Sequence, residues 1–298
     1  MKTAFVLSGG GNLGALQAGS VVALMEAGIE PDLLVGASVG AMNSAFLATH
    51  PGLEGARSLR DAWAALRREE AVQLNPLVAL MGFFGLRDHL ISAAPPRRLI
   101  SKWIPIDRFE DASLPCGAVA TDALSGEAVV LSSGNVGDAL AASSAIPGIF
   151  PPINFEGRWL IDGSLSSNRP VLEAQDLGAQ EIYLITTATA RRTAPPRGVV
   201  AVAMNSVSLL TARVALLELN EAYRRAREMG GHVHVVPSAE PTAPGPFDYR
   251  RSAALSDQAH LKTRLWLNDP ARLTDAARLG APALHPSLPE VRPAHSTA

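Results

Sequence analysis

Ser38 lies between two glycines in Gly36-Ala37-Ser38-Val39-Gly40, directly after the apolar run Asp32-Leu33-Leu34-Val35 and before the small-residue run from Ala41 to Ala48. Strand, tight turn and helix in that order present a serine hydroxyl above a sheet edge, with glycines relieving the crowding and a helix N-terminus favouring negative charge. Ser38 is therefore the first candidate for a nucleophile, although the five residues alone also describe an ordinary glycine-rich strand-to-helix turn. A serine that attacks a carbonyl needs amide N–H groups preorganised around the oxyanion that forms. Gly9-Gly10-Gly11, between an apolar first strand and a helix, could supply them, because a glycine backbone can approach a substrate closely.

Other readings use the same residues. Gly9-x-Gly11-x-x-Gly14 spells a dinucleotide-binding pattern, but that pattern wants an acid at the end of its second strand, and here Asp32 stands at the beginning. A serine also needs a base, and Asp162 in Leu160-Ile161-Asp162-Gly163-Ser164 follows a short strand-like run, although Asp-Gly by itself is a common turn. Histidine is the other choice. His232 and His234 follow Asp162 in the Ser, acid, His order of α/β-hydrolases, but they stand at alternate positions of a strand-like run, which favours a structural role. His50, His89, His260, His285 and His295 show no spacing suited to a metal or to catalysis.

The elements that must position these groups alternate. A strand to Leu7, a helix over Gly14 to Ala27, a strand ending at the elbow and a helix beyond it make a parallel β-α-β-α start. The expected fold class is α/β, a three-layer, mostly parallel central sheet with helices on both faces. Residues 51–105 read as a helical and apolar insertion, in which Pro76 to Leu86, with Phe83-Phe84, could be either a membrane-touching cap or buried core. Cys116 to Leu131 reads as two strands joined at Ser125-Gly126, Gly137 to Ser144 as a short helix, Arg158 to Ile161 as a strand, Val171 to Leu177 as a helix and Glu181 to Thr187 as a strand. Val199 to Met229 and Ser252 to Leu279 read as helices around a last strand at Val233 to Val236. One catalytic domain over 1–280 is expected, with a Pro/Ala-rich tail, disordered, over 281–298.

Taken in order, Gly9 to Gly14, Gly36 to Gly40, the Ala145-Ile146-Pro147-Gly148-Ile149-Phe150-Pro151-Pro152 segment, Asp162-Gly163 and Asn168-Arg169-Pro170-Val171 resemble the patatin-like phospholipase family across the first two-thirds of the chain. The resemblance implies a Ser38–Asp162 dyad with Ser38 as nucleophile and Asp162 as general base. It implies an oxyanion hole at Gly9, Gly10 and Gly11, with Gly14, Gly36, Gly40 and Gly163 supporting the turns. It further implies hydrolysis of lipid acyl esters without metal or other cofactor. Three positions depart from the family pattern: Leu13 replaces a usual basic residue that could meet a phosphate head group, Ser164 a usual glycine or alanine, and Ser8 a common aspartate. A non-catalytic lipid-binding module is the competing function on the same fold.

Composition sets the outer bounds. The 298 residues, 47% hydrophobic and 18% charged, suffice for a sizeable core, and a net charge of −2 gives no footprint for nucleic acid. The lone cysteine, Cys116, cannot form an internal disulfide and reads as a buried thiol. No signal-peptide core or spanning run is evident, since Val199 to Leu219 contains Asn205, Arg213 and Glu218. The expectation is a cytoplasmic protein, peripheral at a membrane through transient surface contact, with a lipid ester as substrate and its oligomeric state open.

Overall fold

Central strands buried on both faces read as near-continuous apolar runs, and Ala4 to Leu7 and Leu33 to Val35 follow this rule. In the computed structural model, which describes residues 1–71, 91, 94–187, 197–239 and 248–269, β1 (Thr3–Leu7) and β2 (Leu33–Ala37) are almost wholly buried. Residues 76–86 and 281–298, and with them the proposed cap and tail, lie outside the described residues. The remaining strands are β3 (Cys116–Asp122), β4 (Ala128–Leu131), β5 (Ile153–Phe155), β6 (Arg158–Asp162), β7 (Glu181–Ile185) and β8 (His232–Val236). They form an eight-stranded sheet in the order β5-β6-β3-β2-β1-β7-β8, with β4 on β3. From β3 to β8 along this order all neighbours are parallel, while β4, β5 and β6 join antiparallel, so the sheet is mixed with a parallel centre.

The two faces carry separate cores, as the period of two along a strand requires. Phe5, Leu7 and Leu34 pack with α1 (Gly14–Glu26), α2 (Val39–Thr49), α3 (Gly52–Ala65), α5 (Ala94–Trp103), α6 (Val136–Ser143) and α9 (Ser252–Leu267). Ala4, Val6, Leu33, Val35 and Ala37 pack on the other face with α7 (Val171–Asp176) and α8 (Val199–Glu228). A single-turn α4 (Arg68–Ala71) completes the described helices. From Gly14 to Met25 α1 is buried on all sides, so it reads as a generally apolar helix rather than an amphipathic one. Gly19 lets it approach α9, since a Cβ there would overlap the Ser256 carbonyl oxygen.

Most expected elements lie within two residues of their anticipated bounds. The closing helix is shorter: it ends at Leu267 rather than Leu279, with Asn268 as its cap. Pro270 accounts for this, because a proline disfavours helical geometry in the residue before it. Asp32, the acid weighed for a ribose contact, accepts the Thr3 N–H at 2.8 Å where β1 and β2 begin, at the edge opposite the Gly9–Gly14 turn.

Candidate active site

Parallel strands place their C-terminal ends on one edge of the sheet, and the loops that leave that edge converge there. β1 ends at Leu7 and runs into the glycine loop, while β2 ends at Ala37 and runs into Ser38. Ser38 has φ 54° and ψ −123°, a conformation that L residues rarely adopt and that costs roughly 1–3 kcal/mol. The flanking glycines give the turn room: a Cβ on Gly36 would overlap the Gly40 carbonyl, and one on Gly40 the Leu7 carbonyl. The Ser38 side chain makes no cap for α2, which leaves its hydroxyl free for another partner.

That partner is Asp162. β6 runs antiparallel to β3, so it descends toward the same edge and brings its last residue opposite Ala120, next to the Val119–Ala37 pair. Gly163 makes the close approach possible, as a Cβ there would overlap the Val119 carbonyl. Ser38 Oγ donates to Asp162 Oδ2 at 2.8 Å, and the Ser164 N–H donates to Asp162 Oδ1 at 2.8 Å. Both side chains are buried, with Asp162 only 4% exposed. Burial pushes the Asp162 carboxyl above its usual range, opposed by the hydrogen bonds from the Ser164 amide and the Ser38 hydroxyl.

Several supporting residues carry no motif. The Ser38 N–H donates to Ser143 Oγ at 2.9 Å, and Ser143 Oγ donates to the Val119 carbonyl at 2.5 Å, which ties the elbow to α6 and β3. Thr121 Oγ1 donates to the Asp162 carbonyl at 2.8 Å. Gln17 and Asn43 are fully buried and bonded to each other; Gln17 Nε2 holds the Ser8 carbonyl, Asn43 Nδ2 holds the Gly14 carbonyl, and Trp63 Nε1 donates to Asn43 Oδ1. The only sequence signal for that network is a pair of amides inside otherwise apolar helices.

The glycine loop is divided. The Gly9 N–H donates to the Asn168 carbonyl at 3.1 Å, so it is already committed, whereas the Gly10 and Gly11 amides have no partner among the described residues. A Cβ on Gly9 would overlap Ser164 Oγ, and Gly11 has φ 57°. A Cβ on Gly14 would crowd Trp63 and Val39. Ser8 Oγ accepts the Thr187 N–H at 2.9 Å, which gives the departure from aspartate a structural role, and Leu13 packs against the core. His232 and His234 are not at this edge. Both bond Glu181 at the start of β7, His232 Nδ1 at 3.1 Å and His234 Nε2 at 2.5 Å, so neither completes a triad with Ser38.

A model of the patatin-like phospholipase family matches residues 5–174, more than half of the chain, with the glycine loop, Ser38 and Asp162 inside it. The chain belongs to the patatin-like phospholipase family. Among its relatives, patatin-like phospholipase domain-containing protein 7 of Mus musculus is 26% identical over 188 residues, covering 61% of this chain and 13% of that protein. Lysophospholipase nte1 of Aspergillus terreus is 31% identical over 185 residues, covering 60% of this chain and 11% of that protein. This family member thus corresponds to a small part of those longer relatives. Among solved structures, VipD from Legionella pneumophila aligns with a TM-score of 0.44 at 14% identity, covering 88% of this chain and 66% of that one.

Proposed function

We infer that the protein hydrolyses fatty-acyl esters of lipids, phospholipids or lysophospholipids among them, through a Ser38–Asp162 dyad in a catalytic unit spanning 1–280. The observation that carries this reading is the 2.8 Å hydrogen bond from a strained, buried serine hydroxyl to a buried carboxylate, with no histidine between them. Ser38 Oγ attacks the ester carbonyl carbon as its proton passes to Asp162 Oδ2. The carbonyl electron pair moves to oxygen, giving an oxyanion held by the Gly10 and Gly11 amides, with the α2 N-terminus adding favourable potential. Collapse expels the alcohol, which takes the proton from Asp162. Water then attacks the acyl-enzyme, gives a proton to Asp162, and the fatty acid leaves as Ser38 regains its hydrogen. A carboxylate is a weak base for a hydroxyl, so proton transfer is concerted with attack, and the raised Asp162 pKa assists it.

The test is covalent labelling by a fluorophosphonate together with turnover of phospholipids, lysophospholipids, neutral glycerides and short-chain esters. The hydrolase reading expects labelling and turnover in the wild type and neither in Ser38→Ala. Binding of lipid without labelling or turnover would instead identify a non-catalytic lipid-binding module.

A further inference from the structure

The longest helix is much longer than the sheet it crosses. α8 has 30 residues and, at about 1.5 Å per residue, runs about 45 Å, whereas five-residue β8 spans about 17 Å. Its C-terminal end is fixed at the edge where the strands begin, because His232, at the start of β8, follows the helix within a few residues and pairs with Glu181. The helix therefore runs back past the sheet and overshoots the opposite edge, the one that holds Ser38. Its packed side chains match that placement: Ala215, Ala222 and Ala226 are buried, and Gln175 Nε2 donates to the Ala222 carbonyl at 2.9 Å. Before Ala215 the character changes. Val202, Val207, Leu209, Leu210 and Val214 are exposed, as are Leu216 and Leu217 just beyond, at 39% to 68% of their surface.

The charges on this overhang have one sign. From Arg197 to Leu217 the only ionisable residues are Arg197 and Arg213, and the first acid is Glu218. Among the described residues, no helix is long and apolar enough to cross a membrane. An apolar helical surface with cationic and no anionic side chains suits the boundary between acyl chains and anionic head groups. It suits a second copy of the same helix poorly, since that would bring like charges together.

We propose that the N-terminal half of α8 docks the protein onto an anionic phospholipid bilayer, holding the Ser38 edge toward the membrane. The surface deepens the lipid-hydrolase reading and rests on it for its purpose, but docking is measurable without turnover. Ser38→Ala therefore serves as a control and floats with vesicles as the wild type does. The wild type is expected to float with vesicles of phosphatidylcholine containing about 30% phosphatidylserine and more weakly with phosphatidylcholine alone. The Leu209→Ser, Leu210→Ser, Leu217→Ser triple variant is expected to lose about tenfold or more in vesicle affinity, with its thermal unfolding midpoint retained. Arg213→Gln is expected to lose about fivefold on the anionic vesicles only. If the triple variant unfolds, Leu210→Cys carrying an environment-sensitive fluorophore replaces it, because Cys116 is buried and stays unlabelled. Its emission should shift to the blue when anionic vesicles are added.

Equal flotation of wild type and triple variant overturns the proposal, as does a probe at 210 that ignores vesicles. A dimer that the triple variant dissolves, with vesicle binding unchanged, assigns the surface to a second copy instead. Docking as expected with no hydrolysis of any lipid would leave this inference standing and remove the catalytic one.

Discussion

The proposed dyad asks Asp162 to do two opposing things, to remain a carboxylate that can take a proton and to sit out of water. Its native pKa lies above the ordinary value of 3.8, so between those two values the native state holds a proton that the unfolded chain has lost. The Asp162 contribution to stability therefore falls as pH rises through that window, while on the proposed mechanism activity rises, because there the charged form is the base. Urea denaturation and a kcat/KM profile measured as functions of pH should show these opposite trends, with the acid limb displaced above the ordinary aspartate range. Asp162→Asn should remove the Asp162 contribution to the stability slope and lower kcat by about 10²- to 10⁴-fold while the fold persists. Ser143 acts through Ser38. Ser143→Ala leaves the buried Ser38 amide without its acceptor, which should cost about 1–3 kcal/mol in chemical denaturation and lower kcat with KM unchanged.

At the scale of elements, close approach and buried charge set the energetics. Gly19→Ala forces α1 away from α9 and should destabilise by about 1–3 kcal/mol with the rate of fluorophosphonate labelling unchanged, since neither helix supplies the reacting atoms. Between α7 and α8, Glu218 has its pKa pushed up to about 7, chiefly by burial and then by Glu173, against the opposing pull of Arg169. The native state thus binds the extra proton between 4.5 and about 7, and stability falls across that interval as pH rises. Glu218→Gln should flatten this part of the profile in thermal melts. The parallel centre of the sheet was legible because its strands are continuous apolar runs ended by glycines, and the Ser38 turn because its spacing is local. The commitment of the Gly9 amide to Asn168 was not legible, nor was the Ser143 contact, because each depends on pieces far apart in the chain. The antiparallel course of β6 left no mark in its residues, yet it decides where Asp162 arrives; the early stop of α9 is written in the sequence at Pro270, against a helical pattern that continues past it.

For the whole molecule, sheet polarity sorts functions between two ends. Ser38, Asp162, the glycine loop and the α8 overhang share the end where the parallel strands finish, whereas Asp32, Glu181, His232 and exposed Met1 share the end where they start. The single cysteine, Cys116, stands at the starting end too, as the first residue of β3, but it is buried and its thiol is pushed up to about 12. An attachment at Met1 therefore orients every molecule alike on a solid support, with its reactive end outward. Protein immobilised by its amino terminus should keep its turnover of vesicle lipid, whereas attachment through a cysteine placed at Leu210 should suppress it, and the ratio of the two rates is a direct gauge of which way round the molecule works.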